Sequence, residues 1–216
     1  MQIKRALISV SDKENITELA KFLISQNVEI ISTGGTAKTL IAKGIQITPI
    51  EEVTGNPEAF GGRMKTLSFQ IESALLYRRS NPQDIEDAKN LNINPIDLVV
   101  CNLYPFEKVA SQTKELSALI ENIDIDGPTM IRAAAKNYQD VVVLTSPTQY
   151  EGFINNFSTM NVDESFEYAI DAFNMSARYD QFIYSTLSRK SSRKLAPFAL
   201  GETKELRYGE NPHQKA

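Results

Sequence analysis

Histidine is almost missing from this chain of 216 residues, and the one present, His213, stands three positions from the end. A Ser-His-Asp triad, a Cys-His pair or a histidine-built metal site inside a core is thereby excluded, since each needs an imidazole held at the centre of the fold. Cysteine is as scarce. Cys101 alone permits neither an internal disulfide nor a thiolate metal cluster, and a lone thiol fits a reducing cytoplasm. Positive charge is not in excess: 23 Lys and Arg against 27 Asp and Glu give a net charge of -4, so no broad basic field draws in nucleic acid or anionic lipid. Any anion site must be local. No apolar run approaches the roughly 20 residues of a membrane span, and the opening residues lead into a strand pattern without a signal-peptide core, so neither a span nor a leader is expected. The phosphate-loop lysine motif and the G-x-G-x-x-G pattern are absent as well, which removes the usual support for ATP or dinucleotide binding. Acid/base chemistry near neutrality therefore falls to Lys, Asp, Glu or Tyr with shifted pKa values.

What is present suffices for one sizeable core with an appended subdomain, since 42% of the residues are hydrophobic. Residues 6–10 read as a buried strand. Ser11 and Glu14 form a capping-box pattern before a helix marked by Ile16, Leu19, Phe22 and Leu23 and ended by Asn27. Residues 28–31 give a second strand. Thr33, Gly34, Gly35 and Thr36 follow as a tight turn, then a short helix over 37–42 closed by Gly44, then a third strand over 45–50 that ends at Pro49. This βαβαβ order predicts parallel strands joined by right-handed crossovers. Residues 97–103 and 141–144 read as further strands, apolar enough to be buried on both faces. After Pro147 the pattern turns helical, through Phe166, Ile170, Phe173, Ala177, Tyr184 and Leu187, with a linker over 191–194 and a polar extension over 206–216. The expectation is an α/β domain over 1–147, a helical extension and linker over 148–200, and the start of another domain over 201–216.

In parallel α/β sheets, ligands bind beyond the carboxyl ends of the strands, where helix N-termini gather. Ser9, Ser11, Asp12 and Lys13 follow the first strand; Thr33 to Thr36 follow the second, with glycines that let backbone N–H groups approach an anion. Arg63, Lys65 and Thr66 lie in the irregular stretch after the third strand, and the fourth delivers Cys101, Asn102 and Tyr104. Each segment is weak alone. Together, two hydroxyl-rich helix starts with Arg63 and Lys65 suit one monophosphate, and an Asn amide and a Tyr phenol nearby could orient a polar heterocycle. The most informative stretch runs from Ile123 to Asn137. Asp126 reads there as the N-cap of a helix that begins near Gly127, Pro128 suits its first turn, and Arg132 and Lys136 fall on one face.

Five segments in order, Ser9 to Lys13, Ser32 to Ala37, Gly61 to Leu67, Cys101 to Phe106 and Ile123 to Asn137, make the chain resemble the inosine monophosphate (IMP) cyclohydrolase domain of the PurH family of bifunctional purine biosynthesis proteins. Residues 206–214, Leu-Arg-Tyr-Gly-Glu-Asn-Pro-His-Gln, are similar to the opening of that family's second domain, the AICAR formyltransferase. The resemblance implies a methylglyoxal synthase-like parallel sheet flanked by helices with a C-terminal helical extension. It implies closure of 5-formamidoimidazole-4-carboxamide ribotide to IMP with loss of water, needing neither cofactor nor metal. A homodimer in the cytoplasm, a purine nucleotide monophosphate as partner and a formyltransferase domain in the full-length protein are implied with it.

Carried over by the same resemblance, Ser9, Ser11, Asp12, Lys13, Thr33, Gly34, Gly35, Thr36, Arg63, Met64 and Thr66 surround the nucleotide, and Cys101, Asn102 and Ile125 line the base. Lys65, Tyr104, Asp124 and Lys136 match the catalytic group. The expected division of labour has Lys136 moving protons with Asp124, and Lys65 and Tyr104 stabilising charge on the formyl oxygen. One departure stands out: where the family commonly carries His-Pro after Lys-Thr-Leu, this chain has Ser68-Phe69. The alternative is a non-catalytic nucleotide sensor of the same fold, similar to the regulatory domain of carbamoyl phosphate synthetase, which needs the phosphate segments but not the catalytic set. Methylglyoxal synthase itself is a weaker match, because that enzyme relies on a histidine absent from this core.

Overall fold

The computed structural model describes residues 1–191. The linker expected over 191–194 therefore lies almost wholly outside the described residues, and the extension with Arg207, Tyr208 and His213 wholly so. Five strands, β1 (Arg5–Val10), β2 (Glu29–Ser32), β3 (Thr48–Pro49), β4 (Leu98–Asn102) and β5 (Val142–Leu144), form one sheet in the order β3-β2-β1-β4-β5. Every pairing is parallel, with Leu7 opposite Ile31 on one side and Val99 on the other. The α/β reading with crossovers is what the structure has.

Because side chains alternate along a strand, the sheet feeds two cores. Ala6, Ile8, Val10, Leu98, Val100, Val142 and Leu144 point to one face, against α1 (Ile16–Ser25), α2 (Gly34–Ala42) and the helix Tyr150–Asn156. Leu7, Ile31, Val99, Cys101 and Val143 point to the other, where Ile50, Ile71, Leu75, Met130, Ile131 and Ala134 meet them. That second layer draws on α3 (Ile50–Thr54), α4 (Phe69–Leu76), α5 (Pro82–Asn90) and α8 (Asp126–Lys136), while α6 (Phe106–Gln112) and α7 (Leu116–Glu121) come between β4 and α8 in the chain. Next in the chain come α9, the helix Tyr150–Asn156 already placed, and α10 (Val162–Ser188), 27 residues long and capped by Asn161 and Glu164 in a capping box. It packs along α8 and β5, burying Ala169 and Ala172. Helices after Pro147 are as expected. No described helix is long and apolar enough to cross a membrane.

Four local expectations are corrected. Ser11 does not cap α1, which starts at Ile16 after Asn15 in a left-handed conformation (φ 55°), because the backbone of Ser11 and Asp12 is held elsewhere. Gly34, Gly35 and Thr36 are the first turn of α2 rather than a turn before it. The third strand shrinks to Thr48–Pro49 at the sheet edge, where proline and the immediate start of α3 leave no room for a longer ladder. Asp126 belongs to α8 and does not cap it with its side chain.

Candidate active site

The chain reverses its path across the sheet at β1: β2 and β3 lie on one side, β4 and β5 on the other. At such a switch point the loops after adjacent strands diverge and leave a crevice at the carboxyl ends. A cleft of about 600 Å³ opens there, in the usual range for a small-molecule site. Of the residues the sequence singled out, Ser9, Ser11, Lys13, Thr33, Gly34, Gly35, Thr36, Arg63, Lys65, Thr66, Cys101, Asn102, Tyr104, Asp124 and Ile125 line it.

One end of the cleft is built for an anion. The first amides of α2 have no partner within the helix and carry the positive end of its dipole. Gly34 sits at φ 55°, a conformation that favours glycine. A Cβ placed on it would come within 3.9 Å of the Lys65 Nζ, and one on Gly35 within 3.8 Å of the Lys13 Nζ, so two ammonium groups flank this turn. Lys13 is steadied by the carbonyls of Val10 and Ser11, to which its Nζ donates at 3.3 and 3.2 Å. Thr33 Oγ1 is buried and makes no hydrogen bond, leaving a hydroxyl free for a ligand. Thr36 is already committed: its hydroxyl accepts from Val10 N and donates to Val10 O, both at 3.0 Å.

The other end carries the acid/base groups. Asp124 Oδ1 accepts from Gly127 N at 2.9 Å, so this residue supplies the helix capping that the sequence assigned to Asp126. Burial pushes the Asp124 carboxyl above the ordinary carboxylate range. Backbone amides of Gly127 and Tyr104 and the charge of Lys65 pull it back, and Asp126 pushes it further up. Tyr104 stands half-exposed at the rim. The Cys101 thiol is driven far up by burial, then by Asp124 and Asp126, so it serves as an inert wall of the cleft. Asp126 does something else: its Oδ2 accepts from Lys65 N and Thr66 N, each at 2.9 Å.

Asn102, in the cleft wall, also fixes the loop after β1: its Oδ1 accepts from Ser11 N (2.7 Å) and Asp12 N (2.8 Å) while its Nδ2 donates one hydrogen to Asp12 O (3.0 Å). Three expected residues are not brought to the cleft. Asp12 turns outward and takes Glu14 N on its carboxylate. Met64 bridges Ala59 through the backbone, its side chain exposed and not among the cleft's walls. Lys136 is exposed at the last residue of α8, about 15 Å along the helix from Asp126 at 1.5 Å per residue, so within one chain it does not meet Asp124.

Sequence reasoning missed the rim formed by α7, where Glu121 pairs with Arg63 across the mouth, and it missed Tyr179. The phenol oxygen of Tyr179, on α10, accepts from Asp124 N at 2.9 Å, tying the helical extension to the acid/base turn. Only the tertiary fold brings residues 55 positions apart together, and no local pattern announces them. Among the described residues, no group of His, Cys, Asp and Glu is placed to hold a metal ion.

Comparison with known proteins fits this geometry. The family model of the MGS-like domain matches residues 15–129, and that of the AICARFT/IMPCHase bienzyme matches residues 134–216. The chain is 47% identical over 222 aligned positions to the bifunctional purine biosynthesis protein PurH of Acetivibrio thermocellus, covering 99% of this chain and 43% of that protein. It is 46% identical to the PurH of Leptospira biflexa over 224 positions, covering 100% of this chain and 44% of that one. The chain thus spans less than half the length of these curated relatives. The solved structure of ForH superposes with a TM-score of 0.79 at 29% identity, covering 88% of this chain and all of that one.

Proposed function

We propose that this chain, which belongs to the MGS-like domain family, is an IMP cyclohydrolase that closes 5-formamidoimidazole-4-carboxamide ribotide to IMP with loss of water. The observation that carries this reading is the polarity of the cleft: an anion cradle of the α2 N-terminus and Lys13 at one end, Asp124 with Tyr104 at the other, and Lys65 between them, near both Gly34 and Asp124. A ribotide has the same polarity, a phosphate at one end and the reacting groups at the other.

The two reacting groups sit on neighbouring ring atoms, so the substrate supplies proximity itself, and the protein selects the reactive rotamer and handles charge and protons. The carboxamide nitrogen attacks the formyl carbon and gives up a proton to the Asp124 carboxylate, whose raised pKa makes it a better base than a free carboxylate. Negative charge develops on the formyl oxygen, which the Lys65 ammonium and the Tyr104 phenol stabilise. The proton held by Asp124 passes to that oxygen to give a hydroxyl, and the formamide nitrogen then gives up its own proton, relayed through the same carboxylate to the hydroxyl, so that water departs as the ring C=N bond forms. Lys136 has no part in this sequence within one chain, given its place on the outer end of α8. The reading extends to a formyltransferase domain in the full protein, supported by the match over 134–216 and the length of the relatives, and takes the homodimer and the cytoplasmic setting from the family resemblance alone.

The test is ribotide cyclisation followed by ultraviolet absorbance, with IMP binding measured by calorimetry. Asp124→Asn is expected to lower kcat by about 100-fold or more, the usual weight of a general base, with IMP affinity changed only a few-fold. In the wild type, kcat falls on the acid side as Asp124 takes up its proton, at a pH above the ordinary carboxylate range. Tight IMP binding with no turnover would make the chain a sensor instead.

A further inference from the structure

We propose that Asp126 is a positioning residue: by strapping the backbone of Lys65 and Thr66 to the start of α8, it sets where the Lys65 ammonium stands between the anion cradle and Asp124. The inference rests on the cyclohydrolase reading for its consequence in turnover, and on geometry alone for the strap.

Three donors converge on a single carboxylate oxygen: Lys65 N and Thr66 N at 2.9 Å and the Thr66 hydroxyl at 3.3 Å. Bonds of this kind, from backbone N–H to a carboxylate, are about twice as strong as neutral ones. The segment they hold has little else to fix it. Gly61 and Gly62 lie at φ 66° and 94°, its backbone bonds are local ones from Ala59 to Gly62 and Met64, and Arg63 and Lys65 make ion pairs with Glu121 and Glu58 that are open to water. Exposed pairs of that sort hold a loop weakly. The buried end of the segment is Thr66, 1% exposed, and its anchor is Asp126. Asp126 is free for this task because Asp124 has taken over the Gly127 amide. The two aspartates, two positions apart, thus divide the work: Asp124 faces the reacting groups, and Asp126 holds the loop that carries the cation opposite.

Two substitutions separate positioning from general support. Asp126→Asn keeps a carbonyl oxygen able to accept both N–H groups, whereas Asp126→Ala removes the acceptor; Asp126→Ser, too short to reach the loop, replaces it if the alanine variant does not fold. Two readouts are taken on the whole chain: ribotide KM and kcat, and exchange of the Lys65 and Thr66 amide protons by NMR. Loss of these charge-assisted bonds is expected to speed exchange of the two amides by about tenfold or more and to raise KM by about tenfold, while the asparagine variant stays within about threefold of wild type in both. Wild-type exchange in Asp126→Ala, or an asparagine variant as disturbed as the alanine one, overturns the strap. Slow exchange restored by asparagine without recovery of KM overturns its role in placing Lys65. If the wild-type chain does not cyclise the ribotide, the cyclohydrolase reading falls, and amide exchange together with IMP affinity in the same variants still decides the inference.

Discussion

Glu72 is a carboxyl group that burial holds near neutrality. It lies in the first turn of α4 with its Oε1 buried and unpaired, and burial, then the charge of Asp126, raises its pKa to about 7. In the unfolded chain it titrates near 4.5, so the folded state binds the proton more tightly. Stability from this group is therefore complete below pH 4.5, declines as pH rises toward 7, and is gone above. The full shift corresponds to about 3 kcal/mol, and screening of a half-buried group reduces this to about 1–2 kcal/mol. Glu72→Gln, neutral throughout, should gain that amount in urea unfolding at pH 8 and almost nothing at pH 4; an equal gain at both would point to packing instead. Residues of this kind mark the limit of what sequence alone discloses. Two aspartates before a helix were visible, yet which one caps and which one straps depends on a loop 60 residues upstream that contributes the competing amides. Asn102 likewise reads only as a substrate contact, and its second task, fixing the backbone of the loop after β1, shows only in the fold.

At the scale of elements, Gly127 shows how tightly α8 is seated. Alanine favours a helix interior over glycine by about 1 kcal/mol, so propensity alone recommends the substitution. The structure forbids it: a Cβ there would stand 2.6 Å from Leu103 Cδ2 and 2.8 Å from Asp124 Oδ2. Forcing such an atom into packed surroundings costs about 1–3 kcal/mol, and the group that must move is the one assigned to proton transfer. Gly127→Ala should lower the thermal midpoint by a few degrees, at about 2–4 °C per kcal/mol for a chain of this size, and lower kcat more than it raises KM. An unchanged kcat would show that Asp124 tolerates displacement. Strands with continuous apolar middles, β1, β4 and β5, were legible because burial on two faces leaves them no polar option. The helices α6 and α7 were not, being seven and six residues long, too short to show a helical period. The pair Asn81-Pro82 has the composition of a turn, yet Asn81 caps α5 and Pro82 takes its first position, the same residues serving either purpose.

For the molecule as a whole, the order of strands did most to place the site: the sequence pattern of a βαβαβ start and two more strands allows a switch point at β1/β3 or at β1/β4, and the order β3-β2-β1-β4-β5 puts the crevice between β1 and β4. Charge is arranged against the average: a chain of net charge -4 gathers Lys13 and Lys65 about one helix start, so anion binding is a local property and the rest of the surface contributes little. This arrangement sorts the lysines in a single experiment. A ligand that binds only the folded state stabilises it by about 2.7 kcal/mol at one hundred times its dissociation constant, which for a chain of this size shifts the thermal midpoint by about 5–11 °C. IMP should produce that shift in the wild type. Lys13→Ala removes an ammonium at the α2 start and should lose most of the shift at the same IMP concentration. Lys136→Ala alters an exposed group outside the cleft and should keep it in full. Equal loss in both variants would move the nucleotide away from the α2 N-terminus and toward the outer end of α8, and with it the anion cradle on which the assignment of the cleft stands.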